Sequence, residues 1–160
     1  MRVVDFDPSK GMAFQGDVAI VAVPAALSAK LDRSDPVPAE NGRLILLEGE
    51  LTGHHHAVDV LDRPQKPKPV KASDPGLVTA MGLRHEKGHP ALFRDPALAE
   101  RLVEANILAR ADLCVAFLAV AGGFVTVSHP EHDGIRLPEG CFYVGRQIES
   151  AGEEERRVAD

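Results

Sequence analysis

Leu113-Cys114-Val115-Ala116-Phe117-Leu118-Ala119-Val120, followed by Gly122-Gly123 and then Phe124-Val125-Thr126-Val127-Ser128, is the stretch whose reading decides the fold. The first run is apolar throughout, the second holds β-branched residues, and the two glycines supply the positive φ that a tight hairpin turn demands. A strand, a hairpin turn and a second strand are expected.

The pattern upstream is helical. Asp95 is a good N-cap, Pro96 suits the first helical position, and Leu98, Leu102, Val103, Ala105 and Ile107 recur at helical spacing, so an inserted helix is expected over 95–109. Ala91 to Phe93 reads as a short strand before it, as does Leu77 to Met81, with Arg84 to His89 as a polar turn between them. Pro64, Pro67, Pro69 and Pro75 alternate with lysines over 62–75, a composition that resists helix and sheet alike and reads as an exposed loop.

Towards the start, Asp17 to Val23 is a buried strand ended by Pro24, and Ser34 to Asn41 is loop. Arg43 to Glu50 and His54 to Val60 read as outgoing and returning strands around a bend at Leu51-Thr52-Gly53. The first fifteen residues show no period and are expected to form an irregular arm. Downstream, His129 to Gly134 should turn, because Pro130 cannot donate to a ladder and Gly134 follows Asp133. Ile135 to Leu137 enter a second turn at Pro138-Glu139-Gly140, Cys141 to Ile148 is a last alternating strand, and 150–160 is a polar, frayed tail. About seven short strands and one helix point to a mainly β single domain over 1–160, an antiparallel barrel or sandwich.

The bulk numbers agree with one core. The chain has 160 residues, 44% of them hydrophobic, and a formal net charge of -6. That charge, with 4% aromatic residues, argues against a nucleic-acid partner, and Arg63, Lys66, Lys68 and Lys71 read as a solvated loop. No signal peptide and no bilayer-length apolar run is evident, so a cytoplasmic protein without membrane contact is expected. Cys114 and Cys141 then read as buried free thiols, with a bridge between them left open.

The histidines carry the chemistry. Five of the seven lie in Gly53-His54-His55-His56 and His129-Pro130-Glu131-His132. On a strand, His54 and His56 share a face about 6–7 Å apart, and the i,i+3 spacing of His129 and His132 fits a turn. Four imidazoles at His54, His56, His129 and His132 would suit a divalent metal, zinc first, with iron, nickel or copper as alternatives. Surface turn histidines are the plainer alternative. Glu50, Asp59, Glu131 and Asp133 are candidate supporting carboxylates, and Glu131 is the candidate catalytic base on metal-bound water. His55 should face away, and His85 and His89 read as loop residues. Arg146 is a smaller candidate, placed to pair with Glu131 or Asp133.

Several strings resemble those of a family of small uncharacterised bacterial proteins. They are Gln15-Gly16-Asp17-Val18, Gly49-Glu50-Leu51-Thr52-Gly53-His54 with His56, and His129-Pro130-Glu131-His132 with Ile135, Leu137-Pro138, Gly140, Tyr143-Val144 and Arg146-Gln147, ending near Val158-Ala159-Asp160. The resemblance covers both ends and implies that the four histidines belong together; it implies no activity. Two function classes follow: a metal-dependent enzyme of unknown small-molecule substrate, or a non-catalytic binding or assembly module, such as a phage-type structural or accessory protein. Homo-oligomerisation is expected to accompany either.

Overall fold

A computed structural model describes residues 2–48, 54–60, 68–69, 83–84, 88–151 and 154–157. Its strands are β1 (Val3–Asp5), β2 (Met12–Gln15), β3 (Val18–Val23), β4 (Arg43–Glu48), β5 (His55–Asp59), β6 (Lys68–Pro69), β7 (Leu83–Arg84), β8 (His89–Phe93), β9 (Cys114–Ala121), β10 (Val125–Val127), β11 (Gly134–Leu137), β12 (Gly140–Arg146), β13 (Ile148–Ala151) and β14 (Glu154–Arg157). A four-residue helix, α1 (Ala25–Ser28), and a longer one, α2 (Pro96–Glu104), interrupt them.

Two sheets face each other. The larger has the order β2-β3-β12-β9-β8, antiparallel throughout. The smaller has the order β1-β11-β10, with β1 parallel to β11. The β4-β5 hairpin prolongs this second sheet, because Ala57 and Ser128 exchange backbone hydrogen bonds of 3.0 and 2.9 Å. No closed barrel forms among the described residues, so the architecture is sandwich-like.

The period of two along each strand sends alternate side chains into different layers. Val18 and Ile20 of β3, Ala116, Leu118 and Val120 of β9, and Phe142 and Val144 of β12 enter the core between the sheets. They meet Leu44, Leu46, Val58, Val127, Ile135 and Leu137 from the second sheet. The intervening Val21, Val23, Phe117, Cys141 and Tyr143 face the other way, where α2 covers them with Leu98, Ala99 and Leu102. The central sheet is therefore buried on both faces, and this explains why β9 reads as a continuous apolar run instead of an alternating one.

Several expectations need correction. The glycines at 122 and 123 do have positive φ, 77° and 156°, but β9 and β10 belong to different sheets and are not a hairpin. The chain crosses there from one layer to the other, and Gly88 packs so tightly beneath the crossing that a Cβ would lie 2.9 Å from the Gly123 carbonyl carbon. Second, α2 stops at Glu104 instead of running to 109, because Asn106 takes φ 61° and the amides of Ile107 and Leu108 both turn back to the carbonyl of Leu102. Third, the opening arm holds β1 and β2, runs too short to show a period. β1 is clasped by Arg136, which donates to Asp5 at 2.5 Å and holds that carboxyl below its ordinary value. Fourth, Ile135 to Leu137 form a strand, and the tail pairs β13 with β14. The bend at 51–53, most of the 62–75 loop and the strand expected at 77–81 lie outside the described residues.

Asp95 does more than cap α2. One carboxylate oxygen accepts from the Leu98 amide at 3.0 Å and the other from the Asp32 amide at 2.9 Å, which ties the loop after α1 to the helix. Asp95→Ala strips both amides of their acceptor and is expected to cost about 1–2 kcal/mol. Urea denaturation checks this, and a loss under a few tenths would contradict the double role.

The thiols lie at opposite ends of one ladder. Cys141 pairs with Ala119, whereas Cys114 pairs with Gly145, so roughly 15 Å of strand separates them and both are free. Burial pushes each thiol from the ordinary 9.0 up to about 11, helped at Cys114 by the charge of Asp95 and opposed at Cys141 by that of Arg33. Raised folded values mean that the unfolded chain ionises first. Their contribution to stability is thus full below pH 9 and drains away as pH climbs towards 11. Thiol labelling of native protein at pH 8 is expected to be far slower than in urea, and equal rates would contradict the burial.

Candidate functional site

The site begins with polar residues where the alternation of β2 and β3 calls for apolar ones. Gln15 ends β2 on the core face, and Asp17 opens the turn into β3. Both are buried, with 2% and 3% exposed. His56, on β5 of the facing sheet, is fully enclosed and reaches across to them. Its Nδ1 lies 2.7 Å from Oε1 of Gln15, and its Nε2 lies 2.8 Å from Oδ1 of Asp17.

The donors can be assigned. The Gln15 amide nitrogen donates to the carbonyls of Val127 and Asp133 at 3.1 and 2.8 Å, so the oxygen facing His56 acts as acceptor. Asp17 presents a carboxylate oxygen to the other side of the ring. Each ring nitrogen of His56 thus faces an oxygen acceptor inside the core.

Above this ring sit the other three. His129, 2% exposed, has its ring centre 4.4 Å from that of His56, 4.5 Å from that of His132 and 5.7 Å from that of His54. His56 and His132 lie 6.3 Å apart with near-parallel planes. The turn carrying the second pair is shaped by its own side chain, since Nδ1 of His129 accepts from the Glu131 amide at 3.0 Å. Oε1 of Glu131 lies 3.5 Å from Nδ1 of His54. The structure thus brings together His54, His56, His129, His132 and Glu131, from segments far apart in the chain.

The remaining candidates are elsewhere. His55 points outward to Glu48, 3.6 Å away, and Asp59 faces Arg43 at 3.7 Å. Asp133 has its side chain 3.9 Å from Arg2, and only its backbone carbonyl belongs to the cluster. Arg146 is in register with Val18 at the end of β12. His89 opens β8, and Glu50 and His85 lie outside the described residues. A groove of about 420 Å3 runs between β4 and the β8-β9 edge, lined by Leu46, Leu92 and Val115 among others, and no histidine reaches it.

Gln15 and Asp17 are the site residues that sequence reasoning missed. The available signal was a Gln-Gly-Asp interruption between two apolar strands, present also among the strings of the family resemblance.

Residues 14–85 match the family model for a domain of unknown function, DUF8820. The matched span takes in Gln15, Asp17, His54 and His56 and stops short of His129 and His132. It accords with a resemblance to an uncharacterised family and carries no activity. No curated protein and no solved structure matches the chain.

The fit of a metal can be tested on the geometry. Two imidazoles on one ion, with metal–nitrogen bonds of about 2.1 Å, put their ring centres at most roughly 6.4 Å apart, and four of the six pairs, those of His129 with each other ring and of His56 with His132, fall within that limit. Nitrogen directions are less favourable. Those of His56 serve Gln15 and Asp17, Nδ1 of His129 serves Glu131, and among the described residues no group of three or more His, Cys, Asp or Glu is arranged to hold an ion. Among the same residues no helix is long and apolar enough to cross a membrane.

Proposed function

We propose that this chain is a divalent-metal-binding domain whose ligands come from the histidine cluster at the His54 and His129–His132 end of the sandwich. One observation carries the reading: the ring centre of His129 lies 4.4, 4.5 and 5.7 Å from those of His56, His132 and His54, imidazoles of two remote segments. The donor set is nitrogen and oxygen without sulfur, since both cysteines sit in the helix-facing layer, and it suits zinc, nickel, cobalt, copper(II) or iron(II). Ligation by His129 at Nδ1 would displace the Glu131 amide, so binding should shift the 129–132 turn. Glu131 is the proposed proton acceptor at the rim, on the strength of its place beside His54.

The test is zinc titration of metal-free protein with elemental analysis of untagged preparations. One zinc per chain is expected, lost in His54→Ala and in His132→Ala. Absence of uptake at millimolar zinc would sink the proposal.

A second reading has its own support. The Gln15 amide fastens Val127 and Asp133 at either end of the histidine turn, which is what a purely organising core in a non-catalytic binding or assembly module would require. Under that reading the variants lose stability and no metal is ever bound.

A further inference from the structure

Pro38 interrupts a hairpin and leaves one edge of the sandwich open. Asn41 and Gly42 take φ 52° and 74°, the pair of positive values that a two-residue hairpin turn needs, and Glu40 and Arg43 on either side of it exchange backbone hydrogen bonds of 2.8 and 3.0 Å. The next hydrogen-bonded pair of such a hairpin would set Pro38 opposite Ile45. Proline has no N–H to give. The pairing stops at Glu40, and the chain before it turns to the other sheet, where the Val37 amide donates to the Leu92 carbonyl at 2.7 Å and Pro36 bridges Phe93.

Two strand edges are exposed by this divergence. Alternation along the β4-β5 ladder, fixed by the bond from the Val60 amide to the Gly42 carbonyl, points the N–H and C=O of Ile45 away from β5. Among the described residues no strand pairs with β4 on that side. Across from it, β8 ends at Phe93, paired with Phe117, while β9 runs on to Cys114. The groove of about 420 Å3 lies between these edges, a volume within the range of ligand sites. Leu46, Leu47, Leu92 and Ala116 line it, each 5% exposed or less.

Charges on the rim select what can enter. Glu40 lies just before β4, Glu48 ends it, and Arg94 follows β8 on the opposite wall. All three are exposed, Glu48 with 65% of its side chain despite His55 at 3.6 Å, whereas Arg43 is already engaged by Asp59 at 3.7 Å. A second copy adding through the same edge about a twofold axis, Ile45 facing Ile45, would bring Glu48 of each chain to the turn that carries Glu40 of the other. Like charges would then meet at both ends. A strand with basic ends meets the same carboxylates with opposite charge.

We infer that this edge is a docking site for an extended peptide segment of another protein, in which two apolar side chains are flanked by basic ones, and that the segment adds to β4 as a further strand. Its main chain takes up the N–H and C=O of Ile45, its alternate apolar side chains enter the groove on the side of Leu46 and Leu92, and its basic ends lie by Glu40 and Glu48. Arg94 disfavours a basic side chain against the β8 wall. No histidine lines the groove, so the inference is independent of the metal reading.

The test is amide NMR of the full chain titrated with a pentapeptide, Lys-Val-Thr-Val-Lys, acetylated and amidated at its ends. The signals of Ile45, Leu47, Leu92 and Val115 are expected to move, and the Ile45 amide should exchange with solvent roughly tenfold more slowly in the complex. Replacing both lysines of the peptide by glutamate should weaken binding roughly tenfold or more, since attraction becomes repulsion at two rim pairs. The double variant Glu40→Lys with Glu48→Lys should reverse the preference and bind the glutamate peptide better. Methylating the threonine nitrogen, which faces Ile45, should weaken binding by a similar factor, for the reason that Pro38 fails there.

No amide movement at millimolar peptide overturns the inference, and so does equal affinity for the lysine and glutamate peptides. Movement of the same amides with protein concentration alone, together with a dimer in sedimentation, assigns the edge to a second copy and overturns it as well. Uptake of zinc or its absence changes none of these results, so a failure here and a failure of the metal reading are told apart.

Discussion

Asp17→Ala is expected to lower the stability of the domain by about 3–5 kcal/mol, the range seen when one partner of a buried ion pair is removed. Asp17 and His56 are 3% and 0% exposed, and 2.8 Å apart. Removing the carboxylate leaves a fully buried ring whose Nε2 has lost its partner, with no water to replace it. Against a total of about 5–15 kcal/mol for a native domain, that loss is large enough to lower the melting temperature by about 6–20 °C for a chain of this size. Asp17→Asn keeps an acceptor oxygen and should cost less. Urea denaturation of the two variants, and of each combined with His56→Gln, measures the coupling directly. A loss below about 1 kcal/mol in Asp17→Ala would mean that water reaches the pair, and the buried layer would no longer be a rigid support.

Phe117→Ala is expected to cost a comparable amount, about 3–5 kcal/mol, for an unrelated reason. Phe117 is fully buried and packs edge-on against Tyr143, ring centres 5.9 Å apart, in the layer between the central sheet and α2. Truncation leaves a cavity walled by the backbone of three strands on one side and by Leu98 and Leu102 on the other, a setting that collapses poorly because the sheet is rigid. The two variants are informative as a pair. Phe117→Ala should destabilise without altering the contacts of the histidine cluster, whereas changes at Asp17 should disturb both, as histidine ring shifts in NMR spectra would show. If Phe117→Ala moves the ring signals of His56 and His129 as much as Asp17→Asn does, the cluster follows global stability, and the buried polar layer has no special part in it.

The elements with strong local signals are legible in the amino-acid sequence. β3, β4, β9 and β12 announce themselves by their apolar residues, and α2 by Asp95, Pro96 and its leucine spacing, since capping and period act within a few residues. β1 and β2 are not legible. Each is three or four residues long; β1 is held by a strand more than a hundred positions away, and β2 pairs with β3 and is tied through Gln15 to Val127 and Asp133. The glycine pair at 122 and 123 is legible as a turn and misleading as a hairpin. Positive φ is a local property, whereas the sheet that receives the following strand depends on which apolar face finds a partner.

For the candidate site the division is sharper. By itself, the sequence determined that His54, His56, His129 and His132 occur in two pairs with shared-face spacing, in strand and turn contexts. Only the tertiary structure decided that the two pairs meet, that His55 and Asp133 turn away, and that Gln15 and Asp17 complete the set. The reason is physical. A side chain's burial, and the acceptor that satisfies it once buried, are set by the packing of one sheet on another, and neither leaves a periodic trace along the chain. Gln15 reads as a polar strand end until β10 and the turn at Asp133 close over it, and only then does its amide become the link between the two sheets.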